Sequence, residues 1–383
     1  MLFKDIPGNK DIKNELISSV KNNRISHAQL LFGEPGSGQL PLAIAYASYI
    51  NCENKLEDDS CGNCTSCIKY QAISHPDLHL VFPVIKQHNG LTVSDNFVHE
   101  WRKFVIENPY LSVNDWLAKI SQETTKNKTG IINKDEALSI QKKIRLKNFE
   151  ASYKVILFWM PERMNRETSN KILKTIEEPP PKTIFLLVSE KPADILPTIY
   201  SRLQKIKIKK FSKQDIEKYF DNDLISQEAL SELQLITERN LGQLKQLVEG
   251  GTEELNLFNH FSSWMRLIYK SDIIELNKWC ANISLNNRQE QILFISYSLK
   301  IIRDCLLFNL SSNKLIVSSR NEQEFIKKFA PFIHEENIFL IVGELEKSNR
   351  YLKRNANAKI LFYSISLKMI KYLKLKRKFV NKD

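Results

Sequence analysis

An α/β domain built on a parallel sheet flanked by helices, followed by a wholly helical region, is the fold the sequence predicts. Three continuous apolar runs of strand length carry the first half: Ala28–Phe32 (AQLLF), Lys154–Trp159 (KVILFW) and Thr183–Ser189 (TIFLLVS). Strands covered on both faces lose the polar alternation of half-exposed ones. Helically spaced stretches separate the runs, at 39–50, 135–146 and 166–176, which gives a βαβ rhythm. Residues 206–208 alternate with lysines and read as one last strand.

After that strand the period turns helical. Residues 212–220, 226–237 and Leu241–Glu249 form a small helical unit, and Gly250-Gly251 marks a break. From about Glu253 onward the spacing is helical nearly throughout, with Phe258, Phe261, Trp264, Tyr297, Phe362 and Tyr363 as a core-packing stripe. The expected division is 1–208, 209–251 and 252–383. Residues 85–130 read as an insertion, with polar clusters around a helix at 114–121, and receive no functional role.

A chain of 383 residues is too long for one ordinary core, so two or three domains are expected. Hydrophobic residues make up 42% and charged residues 26%, which excludes fibrous and wholly disordered classes. Charges interrupt the opening MLFKDIPGNKD at once, unlike a signal peptide. No run approaches the ~18 apolar residues of a membrane span. The expected location is the cytoplasm, with no membrane partner. The net charge of +12 is concentrated late, in KMIKYLKLKRKFVNK. It suits nucleic-acid contact and equally a solvated tail facing acidic partners.

GEPGSGQL, from Gly33 to Leu40, lies between a strand and a helix. Its glycine spacing matches the phosphate-binding loop G-x-x-x-x-G-K-[ST], whose backbone N–H groups cradle phosphates. Gly33, Gly36 and Gly38 are the candidate cradle residues. The loop's lysine supplies charge to the β/γ-phosphates and its hydroxyl holds Mg²⁺. Gln39 and Leu40 stand in those two places. The plainer alternative is a glycine-rich turn that never met a nucleotide.

Of six cysteines, four lie close together: Cys52, Cys61, Cys64 and Cys67. The C-x2-C-x2-C run with a fourth thiol upstream suits structural tetrahedral Zn²⁺. An iron–sulfur cluster is the rival, although the C-x3-C-P that follows in ferredoxins is missing. His75 or His79 is a substitute ligand in principle and an ordinary loop histidine by default. Cys280 and Cys305 stand alone in apolar helical context as buried bystanders.

Together these features resemble the AAA+ clamp-loader family of bacterial DNA polymerase III, specifically its delta-prime type. Ser26-His27-Ala28 leading into LLFGEPGSG is similar to the family's strand and phosphate loop. The cysteine module followed by His75-Pro76-Asp77 is a second likeness. Residues 170–180 (NKILKTIEEPP) and 196–203 (LPTIYSRL) are the specific ones, and Asn355-Ala356-Asn357 resembles a late motif. The resemblance implies an AAA+ domain, a helical lid and an all-α collar. It further implies partners: gamma/tau-type ATPase and delta-type subunits, the sliding clamp, and primer–template DNA through the assembled complex.

The departures from that family carry as much meaning. The acidic pair expected after KVILFW is replaced by Met160-Pro161, with Glu162 one residue out of register. The sensor-2 arginine falls at Gly242 and the sensor-1 polar residue at Ser189. Four losses in separate parts of one mechanism imply that this chain does not hydrolyse ATP, and they speak against ATP as its cofactor. Arg202, after Ser201, matches the arginine that reaches the next subunit's ATP, where such a group contributes about 10³–10⁵ in rate. The alternative for Arg202 is a surface arginine paired with a local carboxylate. The alternatives for the whole chain are an active gamma/tau-like ATPase and a zinc-containing nucleic-acid-binding protein.

Overall fold

The computed structural model describes residues 1–85, 92–121, 130–220, 227–249, 257–286, 288–310, 316, 318, 320–354 and 356–375. The polar clusters at 86–91 and 122–129, the Gly250-Gly251 break, Asn355 and the basic end from 376 lie outside the described residues. Two compact units emerge. One comprises Met1–Asp223 with Arg239–Lys245, the other Leu224–Glu238 with Gln246–Asp383.

The first unit is built on a five-stranded sheet. Its strands are β1 (Ala28–Phe32), β2 (Leu78–Val81), β3 (Lys154–Trp159), β4 (Thr183–Ser189) and β5 (Gln204–Lys207), in the order β2-β3-β4-β1-β5. Every pairing is parallel. Side chains alternate across the pleat. Leu31, Leu157 and Leu186 therefore join one core, while Leu30, Phe158 and Leu187 join the other. This is why the three runs read as unbroken hydrophobicity. β2 was not foreseen: it is a four-residue edge strand interrupted by His79.

Helices α1 (Lys10–Lys21), α2 (Gln39–Asn51) and α3 (Thr65–Gln71) precede β2. α4 (Val98–Glu107), α5 (Val113–Ile120) and α6 (Lys134–Arg145) separate β2 from β3, and α7 (Arg166–Glu177) separates β3 from β4. α8 (Pro197–Tyr200) leads into β5, and α9 (Lys213–Tyr219) follows it. Local chemistry sets their starts. Asn165 accepts from the Thr168 N–H at the head of α7, and Ser212 and Asp215 form a reciprocal capping box at the head of α9.

The stretch read as an insertion is built into the core. Trp101 of α4 stacks on Phe82 with centroids 4.9 Å apart, and the Trp116 indole of α5 donates to the Pro83 carbonyl at 2.8 Å. Both tryptophans are fully buried. Burial of such rings is worth several kcal/mol, on the order of 25 cal/mol per Å².

The second unit is helical in all its described elements. α10 (Gln227–Ile236) is followed, after α11 (Leu241–Glu249), by α12 (Leu257–Lys270), α13 (Ile273–Leu285), α14 (Arg288–Asn309), α15 (Arg320–Phe329), α16 (Glu335–Lys353) and α17 (Ala358–Leu373). Its core centres on Trp264, which stacks on Trp279 at 5.3 Å and donates to the Ser366 hydroxyl at 2.8 Å. Asn357 caps α17 by accepting from the Ile360 N–H. No described helix is long and apolar enough to cross a membrane.

Candidate functional site

The phosphate loop leaves β1 and enters α2 with the geometry its glycines permit. Gly36 has φ +76° and Gly38 φ +90°, both costly for a residue with a Cβ. Space is equally tight. A Cβ on Gly33 would lie 2.7 Å from the Ile208 carbonyl oxygen, and one on Gly38 2.8 Å from the Phe211 ring. At Gly36 the obstacle is Asn240, 2.1 Å from the added carbon. The backbone around these three glycines is therefore closely packed by Ile208, Phe211 and Asn240. Gln39 turns inward, and its amide donates to the Glu34 carbonyl at 2.8 Å. Leu40 is buried and has no metal-binding atom.

The end of β4, with β3 beside it, adjoins the loop through the Gly33 N–H, which the Ser189 carbonyl accepts. After Trp159 the chain turns through Met160, at φ +60°, into a short turn that carries Glu162. One Glu162 oxygen accepts the backbone N–H groups of Glu190 (3.0 Å) and Lys191 (3.1 Å). The other is out of solvent with no hydrogen-bond partner among the described residues. The nearby Glu190 carboxyl is pushed up to about 8 by burial and then by the Glu162 charge. Ser189 is fully buried; its carbonyl accepts the Gly33 N–H and its hydroxyl the Lys191 N–H. Its backbone braces the start of the loop.

Gly242 lies under the backbone of Tyr110: a Cβ there would come within 2.3 Å of the Tyr110 carbonyl oxygen. Asn108 also donates to the Gly242 carbonyl at 3.3 Å. The Tyr110 ring packs edge-on against Phe211 and Tyr219. The 92–121 stretch therefore leaves no room for a side chain at position 242. The sequence carries no periodic signal for this, since Asn108 and Tyr110 lie in the turn between α4 and α5.

Arg202 follows α8 and is exposed. Its Nη1 donates to the Thr198 carbonyl at 2.6 Å and lies 3.4 Å from the Ser201 hydroxyl. Its Nε forms an ion pair with Glu177, the last residue of α7. The side chain remains 40% exposed. A local carboxylate partner is thus present, as the plainer reading of this residue expects, and the guanidinium is also accessible to a second chain.

The four cysteines converge. Cys52 caps the end of α2, and Cys64 and Cys67 begin α3. Their sulfurs all lie within 4.8 Å of one another, with Cys52–Cys61 at 3.6 Å and Cys61–Cys67 at 3.8 Å. A tetrahedron with Zn–S bonds of 2.3 Å has edges of ~3.8 Å. Backbone N–H groups of Cys61, Cys64 and Cys67 each point at the preceding cysteine's sulfur, at 3.3–3.4 Å. Such donors favour thiolates. The residues therefore fit a tetrahedral thiophilic ion. His75 is engaged elsewhere: it stacks on Tyr70 and faces Glu150 at 3.3 Å. Asp77 next to it accepts the N–H groups of Phe149, Glu150 and Ala151, tying the module to the start of β3.

Comparison with known proteins places this geometry in a family. The delta-prime subunit of DNA polymerase III from Haemophilus influenzae is 26% identical over 287 residues, covering 74% of this chain and 72% of that protein. Subunit tau from Bacillus subtilis is 25% identical over 214 residues, 56% of this chain; the chain spans only 30% of tau's length. Among solved structures, a gamma subunit-related protein from Thermotoga maritima is similar over 95% of this chain and 100% of that one, with a TM-score of 0.46 and 14% identity. A family model described as DNA polymerase III, delta subunit, matches residues 8–212. That match runs over more than half of the chain, which accordingly belongs to the DNA polymerase III delta subunit family, among the clamp-loader proteins.

Proposed function

We propose that this chain is a non-hydrolysing, delta-prime-type clamp-loader subunit. It assembles beside ATPase subunits, supplies Arg202 to a neighbour's triphosphate, and helps place a sliding clamp on primed DNA. The observation that carries this reading is the contrast between two sites. The phosphate loop carries Gln39 and Leu40 where the lysine and the hydroxyl would stand, and the Gln39 amide is spent on the Glu34 carbonyl. Arg202, by contrast, keeps an accessible guanidinium. An arginine supplied in trans stabilises charge on the transferring phosphoryl group and needs no working pocket in its own chain. The division into an AAA+ domain, a lid at 209–251 and a collar at 252–383 is part of the same proposal, as is a structural Zn²⁺ at Cys52, Cys61, Cys64 and Cys67. The ion would join the end of α2 to the start of α3, fixing the module without supplying chemistry.

A gamma/tau-type ATPase is the second reading, and the likeness to tau favours it. Turnover by the purified chain separates the two. The expected result is no ATP hydrolysis by the chain alone and a large fall in turnover by the assembled loader when Arg202→Ala is introduced. Robust hydrolysis by the isolated chain supports the ATPase, and normal turnover in the Arg202→Ala loader removes the trans role.

A further inference from the structure

We propose that Glu177 is a positioning residue for Arg202, setting which edge of the guanidinium faces outward; this rests on the reading of Arg202 as an arginine acting in trans. Glu177 comes from the EEPP stretch and Arg202 from the TIYSR stretch, two segments that otherwise share no role, and they meet in one ion pair. Glu177 ends α7, where the helix already presents unpaired carbonyls and partial negative charge. A carboxylate is electrostatically misplaced there unless a cation meets it. Arg202 is that cation.

The contacts define an orientation. Glu177 takes Nε, the Thr198 carbonyl takes Nη1, and Nη2 donates no hydrogen bond within the described residues. An arginine has five donors in a rigid plane, so fixing two nitrogens aims the third. Both partners are exposed, at 40% and 34%. An ion pair in water is too weak to lock the guanidinium away from a triphosphate, but it is enough to bias a long side chain among its rotamers. That magnitude separates positioning from sequestration, and the two predict opposite signs.

The test uses a loader reconstituted from this chain and its own ATPase partners, with kcat and KM for ATP measured separately. Glu177→Ala is expected to lower kcat by roughly two- to five-fold, the rate equivalent of an exposed ion pair, with KM and assembly unchanged. Glu177→Gln, which keeps an acceptor oxygen, should recover part of the loss. The Glu177→Ala/Arg202→Ala double variant should be no slower than Arg202→Ala alone. Unchanged turnover in Arg202→Ala would defeat the trans reading itself. A slow Arg202→Ala with an unchanged or faster Glu177→Ala would defeat only the positioning role, as would losses that multiply in the double variant. In the isolated chain, ¹⁵N relaxation of the Arg202 Nε–H provides a readout that does not depend on assembly. It should report an ordered group in the wild type and a mobile one in Glu177→Ala; equal mobility overturns the proposal.

Discussion

The Gln39 amide donates to the Glu34 carbonyl across 2.8 Å, so the side chain standing at the lysine position is spent inside its own loop. A lysine there would carry its charge to the β/γ-phosphates. Gln39 is buried, and the contact replaces an outward cation with an internal brace.

Restoring the lysine alone should therefore not restore catalysis. In Gln39→Lys the ammonium can take over the bond to Glu34, Leu40 still offers no oxygen to Mg²⁺, and one Glu162 oxygen still serves two backbone N–H groups. The expected outcome is no phosphate release by the isolated variant above the wild-type baseline. Measurable turnover would mean that one neutral amide was the whole block.

Glycine substitutions should sort by the space around them. Gly36→Ala combines φ +76° with an atom 2.1 Å from Asn240, and Gly242→Arg drives a side chain into the Tyr110 backbone. Each is expected to cost more than about 2 kcal/mol in urea denaturation. Gly343 lies inside α16 with nothing within 4 Å of an added Cβ. Gly343→Ala should stabilise by about 0.5–1 kcal/mol through helix propensity. A neutral Gly242→Arg would show that the Tyr110 turn yields easily.

Much of this architecture was readable because strands buried on both faces and amphipathic helices leave period-specific marks. β1, β3 and β4 lie where their apolar runs stand, and the four cysteines announced a cluster by spacing alone. β2 was missed because four residues interrupted by a histidine carry too little pattern. α4 was missed because its apolar residues, Trp101, Phe104 and Val105, sit in a charged stretch. Tyr110 over Gly242 and Glu177 against Arg202 are contacts between distant segments. No local period encodes such contacts, so only the fold brings them to light.

Zinc content is a direct test of the cysteine cluster. The purified chain should carry one zinc per molecule by elemental analysis, and cobalt substitution should give the absorption of a tetrahedral thiolate site. Cys61→Ser with Cys64→Ser should abolish both. The module also holds the N-terminal segment, because Asp59 accepts the Phe3 and Lys4 N–H groups at 3.0 Å. Losing the ion should lower Tm by roughly 4–8 °C, the equivalent of about 2 kcal/mol for a unit of this size. A brown, iron-containing protein would replace zinc with a cluster, and an intact melting curve after chelation would deny the ion a structural role.

Glu136 makes the first unit's stability depend on pH. Its carboxyl is buried in the first turn of α6, where one oxygen accepts the Ser94 N–H and hydroxyl and the other has no partner among the described residues. Burial pushes it up from 4.5 to about 7. The folded state therefore holds this proton more tightly than the unfolded chain does. The stabilisation is complete below about pH 4.5 and is lost as pH rises through about 7, a swing of about 3 kcal/mol. Glu136→Gln cannot titrate. Relative to wild type, the variant should gain stability between pH 5 and pH 8 by up to that amount. The raised Glu190 carboxyl is common to both proteins and cancels in the difference. Urea denaturation of the pair at the two pH values measures it. An identical difference at both would mean that Glu136 is already ionised in the folded state at pH 5, its charge held by the Ser94 bonds despite burial.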